Sequence, residues 1–183
     1  SCREINLYYE HENKIHNFLN FKEENKTLMH IFENLRLKNI LIKRLRKSKI
    51  KIIDKEIKNI QKIKKQYDLV FLCLGKNSHL YRSIKGQRII HKDYKEVAVT
   101  GIIKHSSQQL NPKQYFLKKG PLALLPINQN MFSFVWSLKN NILEKKSEDF
   151  KIRLIKNIKD ITGFKSLKIQ KLNYFPIKMN IKT

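Results

Sequence analysis

The sequence is poor in the residues that define several common kinds of protein. Its 183 residues include only two cysteines, Cys2 and Cys73, which are too few for a disulfide framework and fit a reducing compartment. The longest uninterrupted apolar run is residues 69–74, whereas a membrane-spanning helix requires about 20 apolar residues. The start of the chain lacks a signal-peptide pattern. We therefore expect a cytoplasmic protein, either free or peripherally associated with the inner face of the membrane.

Glycine is scarce as well, with five residues in the whole chain. The sequence accordingly contains no G-x-G-x-x-G loop and no Walker loop, the glycine-rich segments that cradle phosphates. The histidines show no H-x-x-x-H spacing and the cysteines no C-x-x-C spacing, so we predict no metal site. Taken alone, the chain lacks the usual phosphate cradle for a dinucleotide.

Acidic residues are few, since 15 Asp and Glu stand against 39 Lys and Arg, for a net charge of +24. Such a charge attracts polyanions, because neutralised phosphates release counterions. Most of the basic residues are lysine, however, and isoleucine and asparagine are also abundant, a pattern typical of AT-rich codons. Residues 36–65 hold 13 basic residues but no Tyr, Phe or Trp, so a stacking platform for single-stranded nucleic acid is missing. We favour a solvated basic face and expect no specific nucleic-acid partner.

The first third of the chain predicts two strands followed by a helix. Residues 5–9 and 18–21 have the composition of short strands. Apolar residues recur at i, i+3, i+4 and i+7 over residues 28–35, after Thr27, which is a suitable N-cap. Residues 37–45 continue the helical spacing, although 40–42 would serve equally as a strand.

The next segment predicts strands. Residues 49–53 and 57–63 alternate between polar and apolar side chains or nearly so. Residues 68–75 form an apolar run that glycine ends, which is typical of a strand buried on both faces. The polar residues 76–78 would then form a turn at the carboxyl end of that strand, where open α/β sheets bind ligands.

The second half of the chain predicts a sheet with one covering helix. The fold class that we predict is α+β or mixed α/β, with a central mixed sheet. Thr162 and Gly163 would close the helix. The predicted strands are residues 97–103, 114–117, 122–127, 131–138 and 167–172, with a hairpin turn at 128–130 and the helix over 141–161.

Within the predicted strand 131–138, the side chains alternate clearly between two faces. Phe132, Phe134, Trp136 and Leu138 share one face, while the serines Ser133 and Ser137 point the other way. One face is therefore covered, and the other is wet or lines a pocket. A Gly-Pro pair enters the preceding strand and another proline ends it. Because proline lacks a ladder donor, we expect that strand at an edge or beside a bulge.

The residues Gly-Pro-Leu-Ala-Leu-Leu-Pro at 120–126, followed by Ser-Phe-Val-Trp-Ser at 133–137, closely resemble a segment of a known family. It is the central segment of the flavin-dependent aromatic hydroxylases of ubiquinone biosynthesis, which are para-hydroxybenzoate-hydroxylase-like FAD monooxygenases. Other segments agree in order. Residues 25–28 (Asn-Lys-Thr-Leu) resemble the family's Asn/Arg-x-x-Leu helix start, residues 68–82 its second fingerprint, and residues 174–178 the stretch before its Gly-Asp motif.

The resemblance implies cofactors and site residues. FAD would be the cofactor and NAD(P)H the electron donor, while residue 74 is Leu where the second fingerprint has Asp. The resemblance identifies no catalytic base. By position in the family's motifs, the residues that contact the cofactor would be Asn25, Gly75, Ser78 and Arg82, and the apolar substrate pocket would be lined by Pro121, Leu122, Leu124, Leu125 and Trp136.

The resemblance also implies a domain division and a reaction. Residues 1–24 would be the first strands of a substrate domain, 25–92 part of an FAD-binding domain, and 93–183 the substrate-domain sheet and helix. Such enzymes use reduced FAD and O2 to hydroxylate a ring that carries a polyprenyl tail. The expected partners are thus a polyprenyl phenol or quinone precursor and a biosynthetic complex. Because the family's Gly-rich loop and Gly-Asp motif are absent, we expect the chain to be a fragment of such an enzyme, incomplete at both ends, that alone is inactive and binds FAD poorly or not at all.

Two alternatives remain open at the level of sequence. The charge of +24 and the basic residues 36–65 would also suit a binding module for nucleic acid or an anionic membrane, without catalysis. A degenerate gene product without activity is the other alternative.

Overall fold

The computed structural model describes residues 2–75, 80, 89–106, 111–143 and 148–182. The chain divides into two compact units. Unit 1 comprises Ser1–Lys38 and Asp93–Lys178, and unit 2 comprises Asn39–Lys92 and Met179–Thr183. The predicted division at residues 24/25 and 92/93 stays a prediction. The assignment of the parts to substrate and FAD-binding domains stays a prediction.

Seven strands form one mixed sheet in the order β2-β1-β4-β5-β6-β3-β7. The pair β1–β4 is parallel, whereas β1–β2, β4–β5, β5–β6 and β3–β6 are antiparallel. The predicted mixed α/β class is therefore confirmed. The strands are β1 (Glu4–His11), β2 (Lys14–Lys22), β3 (Ile89–His105), β4 (Lys113–Phe116), β5 (Leu122–Asn128), β6 (Met131–Lys139) and β7 (Leu167–Lys182).

Three α-helices accompany the sheet among the described residues: α1 (Asn34–Lys47), α2 (Ile60–Lys64) and α3 (Glu148–Thr162). A short 3-10 turn, Asn140–Leu143, precedes α3. The end of α3 is as predicted, because Gly163 adopts a left-handed φ of 70° and its N–H donates to the Lys159 carbonyl at 2.8 Å. Glycine reaches that conformation without the steric penalty of a Cβ atom.

The core lies on one face of the sheet, beneath α3. Alternate residues of the central strands point into it, and Phe150, Leu154 and Ile158 of α3 pack against them. The register aligns these residues across strands, so that Tyr115, Leu122, Trp136 and Val99 form one continuous row. In the next row the ring of Phe134 lies opposite Gly101, where an added Cβ would come within 2.6 Å of Phe134 Cε1 and would also meet the Lys171 carbonyl oxygen.

The helix predicted to begin after Thr27 begins later, at Asn34. Residues 28 and 29 instead form a bridge with Cys2: the Leu28 N–H donates to the Cys2 carbonyl at 2.9 Å, and the Cys2 N–H donates to the Met29 carbonyl at 2.8 Å. These backbone groups are thus bonded to the start of the chain and are unavailable to a helix. The ambiguity at residues 40–42 is resolved as helix within α1.

The strands predicted between residues 49 and 75 are not found. Residues 51–59 and 69–75 have no regular secondary structure. Asn59 instead caps the short helix α2, with its side-chain oxygen accepting from the Gln61 N–H at 2.8 Å. An N-cap of this kind outweighs a weak strand alternation. Residues 68–75 were expected to be buried, but Leu69 is 72% and Phe71 82% exposed.

The prolines of β5 behave partly as predicted. β5 is an interior strand between β4 and β6, so of the two predicted alternatives the edge position is not the one observed. The register does shift between Pro126 and Asn128, as expected of a bulge at a residue without a ladder donor. Pro121 lies just before the strand and hydrogen-bonds only through its carbonyl, which accepts from the Ser137 N–H at 3.0 Å.

Candidate functional site

The second face of the sheet, which we call the open face, is the candidate site. It is formed by the residues of β3, β4, β5 and β6 that alternate with the core residues, and these are half-buried or exposed. Two cross-strand rows define its centre, with Leu125, Ser133 and Ile102 in one row and Ala123, Val135 and Thr100 in the other. The prediction that one face of β6 is covered while its serines lie on another face is confirmed.

The centre of the open face is lined by short side chains. Ala98 pairs with Ser137, Thr100 with Val135, and Ala123 with Val135. Because none of these side chains extends far from the pleat, a planar molecule could approach the backbone of the sheet closely. Polar groups on this surface include the serine and threonine hydroxyls, which can donate or accept a hydrogen bond, and the amide of Gln114, which pairs with Ala123.

Toward β1 and β2, large aromatic side chains replace the short ones. The rings of Tyr9 and Phe18 meet edge to face at a centroid distance of 5.7 Å, and Phe18 lies 6.0 Å from Phe116. The His16 ring stacks on Tyr9 at 5.3 Å. Tyr9, Phe18 and Phe116 are all exposed. This aromatic group gives the open face an apolar end of the kind that recognises rings.

The five predicted pocket residues divide between the two faces. Leu125 lies on the open face and is half-buried, and Pro121 is exposed beside it in sequence. Leu122, Leu124 and Trp136 are fully or almost fully buried in the core under α3. The alternation of a strand imposes this division, because successive side chains point to opposite faces. The contact of Leu122 and Leu124 with a substrate therefore stays a prediction, and their observed place is in the core.

Trp136 also borders a cleft on the helix-covered side, with a volume of about 180 Å³. Its indole N–H donates to the Gly120 carbonyl at 3.0 Å. Gly120 has a φ of 118°, and a Cβ there would meet the Ser137 carbonyl oxygen, so glycine is required at this turn. The sequence did not point to the polar lining of this cleft, which includes Glu10, Asn13, Lys119, Asn157 and Asp160.

The most perturbed titratable groups lie in the core, away from the open face. Burial lowers the pKa of Lys113 and raises the pKa of Tyr115, with the nearby Tyr8 adding to the Tyr115 shift. The Tyr8 and Tyr115 rings stack at 4.7 Å, and the Lys113 ammonium lies 5.9 Å from the centre of the Tyr8 ring. Sequence patterning missed this group, because Lys113 occupies an inward position that alternation assigns to an apolar residue.

Two of the four residues predicted to contact FAD can be placed. Asn25 is exposed in unit 1, and Gly75 is exposed in unit 2. Gly75 has a left-handed φ of 68°, and no heavy atom lies within 4 Å of the position of an added Cβ. The contact of each residue with FAD stays a prediction. Ser78 and Arg82 lie outside the described residues.

Metal-binding and membrane-spanning features were searched in the same described part of the chain. It holds no cluster of His, Cys, Asp and Glu side chains suited to a metal ion. None of its helices combines the length and the hydrophobicity needed to cross a membrane.

The fold of this chain is similar to that of an FAD-dependent halogenase of known structure. No family model and no curated protein matches the chain. Among solved structures, the myxobacterial chondrochloren halogenase CndH, a variant of FAD-dependent halogenases, matches with a TM-score of 0.64 and 10% sequence identity. That match covers 98% of this chain and 49% of CndH, so the chain spans about half the length of that enzyme.

CmlS, a flavin-dependent halogenase, also matches. That match covers 56% of this chain and 20% of CmlS, with 12% identity and a TM-score of 0.42. This similarity is too low to support an argument. At these identities the likeness to CndH concerns the fold alone. The likeness to CndH thus agrees with the predicted mixed α/β fold class.

Proposed function

We propose that the chain provides the substrate-facing sheet of an FAD-dependent oxidoreductase that oxidises an apolar aromatic molecule. The observation that carries this proposal is the open face, on a fold similar to that of CndH over 98% of the chain. One face of the sheet is filled by α3 and the core, while the other is left with half-buried apolar and small side chains. Ligand sites are typically concave or flat apolar surfaces with a few placed polar groups.

Each part of the open face has a role in this proposal. Leu125 and Val135 contact the apolar part of the substrate and exclude water from it. The hydroxyls of Ser133 and Ser137 orient a polar ring substituent by hydrogen bonding. Asn25 and Gly75, with Ser78 and Arg82, contact FAD. When bound, FAD supplies the oxidative chemistry, and the protein contributes binding, orientation and shielding.

At a finer level, we propose that the substrate is a polyprenyl phenol or quinone precursor, hydroxylated in ubiquinone biosynthesis with NAD(P)H and O2. Support comes from the segment at residues 120–126, whose sequence resembles the ubiquinone-pathway hydroxylases. The exposed aromatic group of Tyr9, Phe18 and Phe116 continues the apolar surface beyond its centre. An extended apolar surface suits a ring that carries a prenyl tail.

Binding to the open face can be tested with the chain itself. We expect 2-prenylphenol, titrated into the isotopically labelled chain, to shift the amide signals of Leu125, Ser133 and Val135. Leu125→Gln should weaken this binding several-fold, because it places an amide on the apolar surface. Ile152→Gln, at an exposed position of α3, is the matched control and should leave binding unchanged. Shifts confined to residues outside the open face would contradict the proposal.

The reaction is tested in a protein that is expressed from the coding sequence of this chain together with the coding sequence on both sides of it. We expect that protein to purify with the yellow absorbance of FAD and to oxidise NAD(P)H when a prenylated phenol is added, yielding a hydroxylated ring. A colourless protein without this activity would overturn the proposed function. A halogenated product formed only with halide would overturn the hydroxylase assignment while supporting the flavoprotein class.

A further inference from the structure

Helix α1 leaves its apolar side chains in solvent. None of its residues is buried. Its apolar side chains are between 37% and 63% exposed at Leu35, Leu37, Ile40, Leu41 and Leu45. A contiguous apolar surface of this kind on a folded chain marks an interaction site.

The exposed side chains of α1 are arranged by helical periodicity. Leu37, Leu41 and Leu45 follow one another at four-residue intervals and form one apolar stripe. Arg36, Lys43 and Lys47 lie on the opposite side, at intervals of seven and four residues. The helix is therefore amphipathic, although neither of its sides is covered.

The charge of α1 has one sign only. The helix carries six basic residues and no acidic one: Arg36, Lys38, Lys43, Arg44, Arg46 and Lys47. The following residues continue the pattern, since Ile50, Ile52 and Ile53 are exposed and alternate with Lys49 and Lys51. A groove is lined by Leu41, Leu45 and Ile50, with Arg44, Lys47 and Ser48 beside them. A partner that complements such a surface is both apolar and anionic.

Two of these cations distinguish a lipid surface from a protein partner. At about 100° per residue, Lys38 shares the angular position of Leu45 and Arg44 that of Leu37, each about two turns away along the axis, so both cations lie within the apolar side of the helix. A protein that packed over this side would bury both charges, which is costly without paired anions. At a membrane surface the long side chains can instead extend to the headgroups while their stems remain among the acyl chains.

We propose that α1, together with residues 48–53, lies in the surface of an anionic lipid membrane. The stripe of Leu37, Leu41 and Leu45 enters the boundary between headgroups and acyl chains, and the basic side faces the phosphates. An amphipathic helix with a basic polar face and low overall hydrophobicity binds membranes in this manner. The helix satisfies its own backbone hydrogen bonds, which an apolar environment requires. The proposal is independent of the proposed oxidoreductase function.

Vesicle sedimentation of the full chain tests the apolar contribution. We expect binding to phosphatidylcholine vesicles with about 30% phosphatidylglycerol to exceed binding to pure phosphatidylcholine roughly tenfold at physiological salt. Leu41→Gln/Leu45→Gln, which leaves the net charge unchanged, should reduce binding by about fivefold or more. The control Leu69→Gln/Ile152→Gln alters two exposed apolar residues outside α1 and should have no effect. Circular dichroism should confirm that all variants are folded.

A second pair of variants separates a specific basic site from the general charge of +24. Arg44→Gln/Lys47→Gln should weaken binding more than Arg153→Gln/Lys156→Gln, which removes two exposed charges from α3. Hydrogen exchange should slow at the amides of α1 when vesicles are added. Equal losses of vesicle binding in both pairs of variants would overturn the proposal, and so would absence of binding. A dimer of the chain that Leu41→Gln/Leu45→Gln dissociates would overturn it as well. The last result would assign the stripe to a second copy.

Discussion

Residues 93–178 and residues 39–75 contain similar proportions of apolar side chains but bury them very differently. In the first region, the core residues of β3, β5, β6 and α3 are almost completely withdrawn from solvent. In the second, Ile60 is the one buried residue. The difference follows from hydrogen bonding as well as from hydrophobicity, because each core strand has a neighbour for its backbone, whereas residues 68–75 have none in a described strand. For an extended segment such as residues 68–75, apolar composition is thus insufficient for burial when no neighbouring strand bonds its backbone.

The largest expected effect tests how tightly the first region is packed. Gly101→Val should destabilise the protein by about 4 kcal/mol or more, because even a Cβ at this position would meet Phe134 and the Lys171 carbonyl oxygen. Urea unfolding followed by the fluorescence of Trp136 measures this change. Thr100→Val, on the half-buried open face of the same strand, is the control and should change stability little. A well-tolerated valine at position 101 would refute the close packing of β3 against β7.

A matched pair of leucines tests the comparison directly. Leu124→Ala, in the core, should cost about 3 kcal/mol through lost burial and a residual cavity. Leu69→Ala, at a 72% exposed position, should change stability by no more than about 0.5 kcal/mol. Urea unfolding of both variants checks these values. A large cost at Leu69 would mean that residues 69–74 are packed in solution, and the contrast between the two regions would fail.

A smaller effect is expected at the buried lysine of the first region. Lys113→Met should change stability at pH 7 by no more than about 1 kcal/mol, because the removal of a desolvated charge opposes the loss of the ammonium's contacts with the Tyr8 and Phe164 rings. Burial lowers the pKa of Lys113 in the folded protein below the ordinary lysine value of 10.5. The unfolded chain thus holds this proton to higher pH, so wild-type stability should rise as pH increases from the folded pKa toward 10.5.

The free energy of unfolding of Lys113→Met minus that of wild type should accordingly fall as the pH approaches 10.5. The raised pKa values of Tyr115 and Tyr174 act in the opposite direction above about pH 10, because the unfolded tyrosines release their protons first. Both proteins share those tyrosines, so the comparison isolates Lys113. Thermal unfolding from pH 7 to pH 10 gives the measurement, and a difference that stays constant would argue against a shifted lysine.

The parts of the fold that sequence predicted well are those whose partners lie close along the chain. The hairpin of β5 and β6 turns at Gln129 and Asn130, where the Asn130 N–H donates to the Asn128 side chain at 3.0 Å. Local turn residues and strict alternation were sufficient to locate both strands. The failure at Thr27 depends on a remote partner, since Cys2 hydrogen-bonds with residues 28 and 29. The failure at residues 68–75 depends on the pairing of distant strands, because this segment has no neighbour in a described strand. No local pattern encodes either.

The candidate site was predictable to a similar degree. Alternation identified the serine face of β6, and that face is part of the open face. It could not separate Leu125 from Leu122 and Leu124 within one apolar run, because all three side chains have the same chemistry and only the pairing with β6 fixes their faces. The aromatic group of Tyr9, Phe18 and Phe116 was missed, since its members come from three strands that are distant in sequence.

The parallel pairing of β1 with β4 has a consequence for biosynthesis. Asn6 to Tyr9 must wait for Lys113 to Phe116 before they can form their ladder, and the contact between Glu10 and Lys118 spans 108 residues. At the usual rate of about 5–20 residues per second, the β1–β2 hairpin leaves the ribosome several seconds before its neighbour exists. During that interval its unpaired edge and the exposed rings of Tyr9 and Phe18 are a target for chaperones or for misassembly.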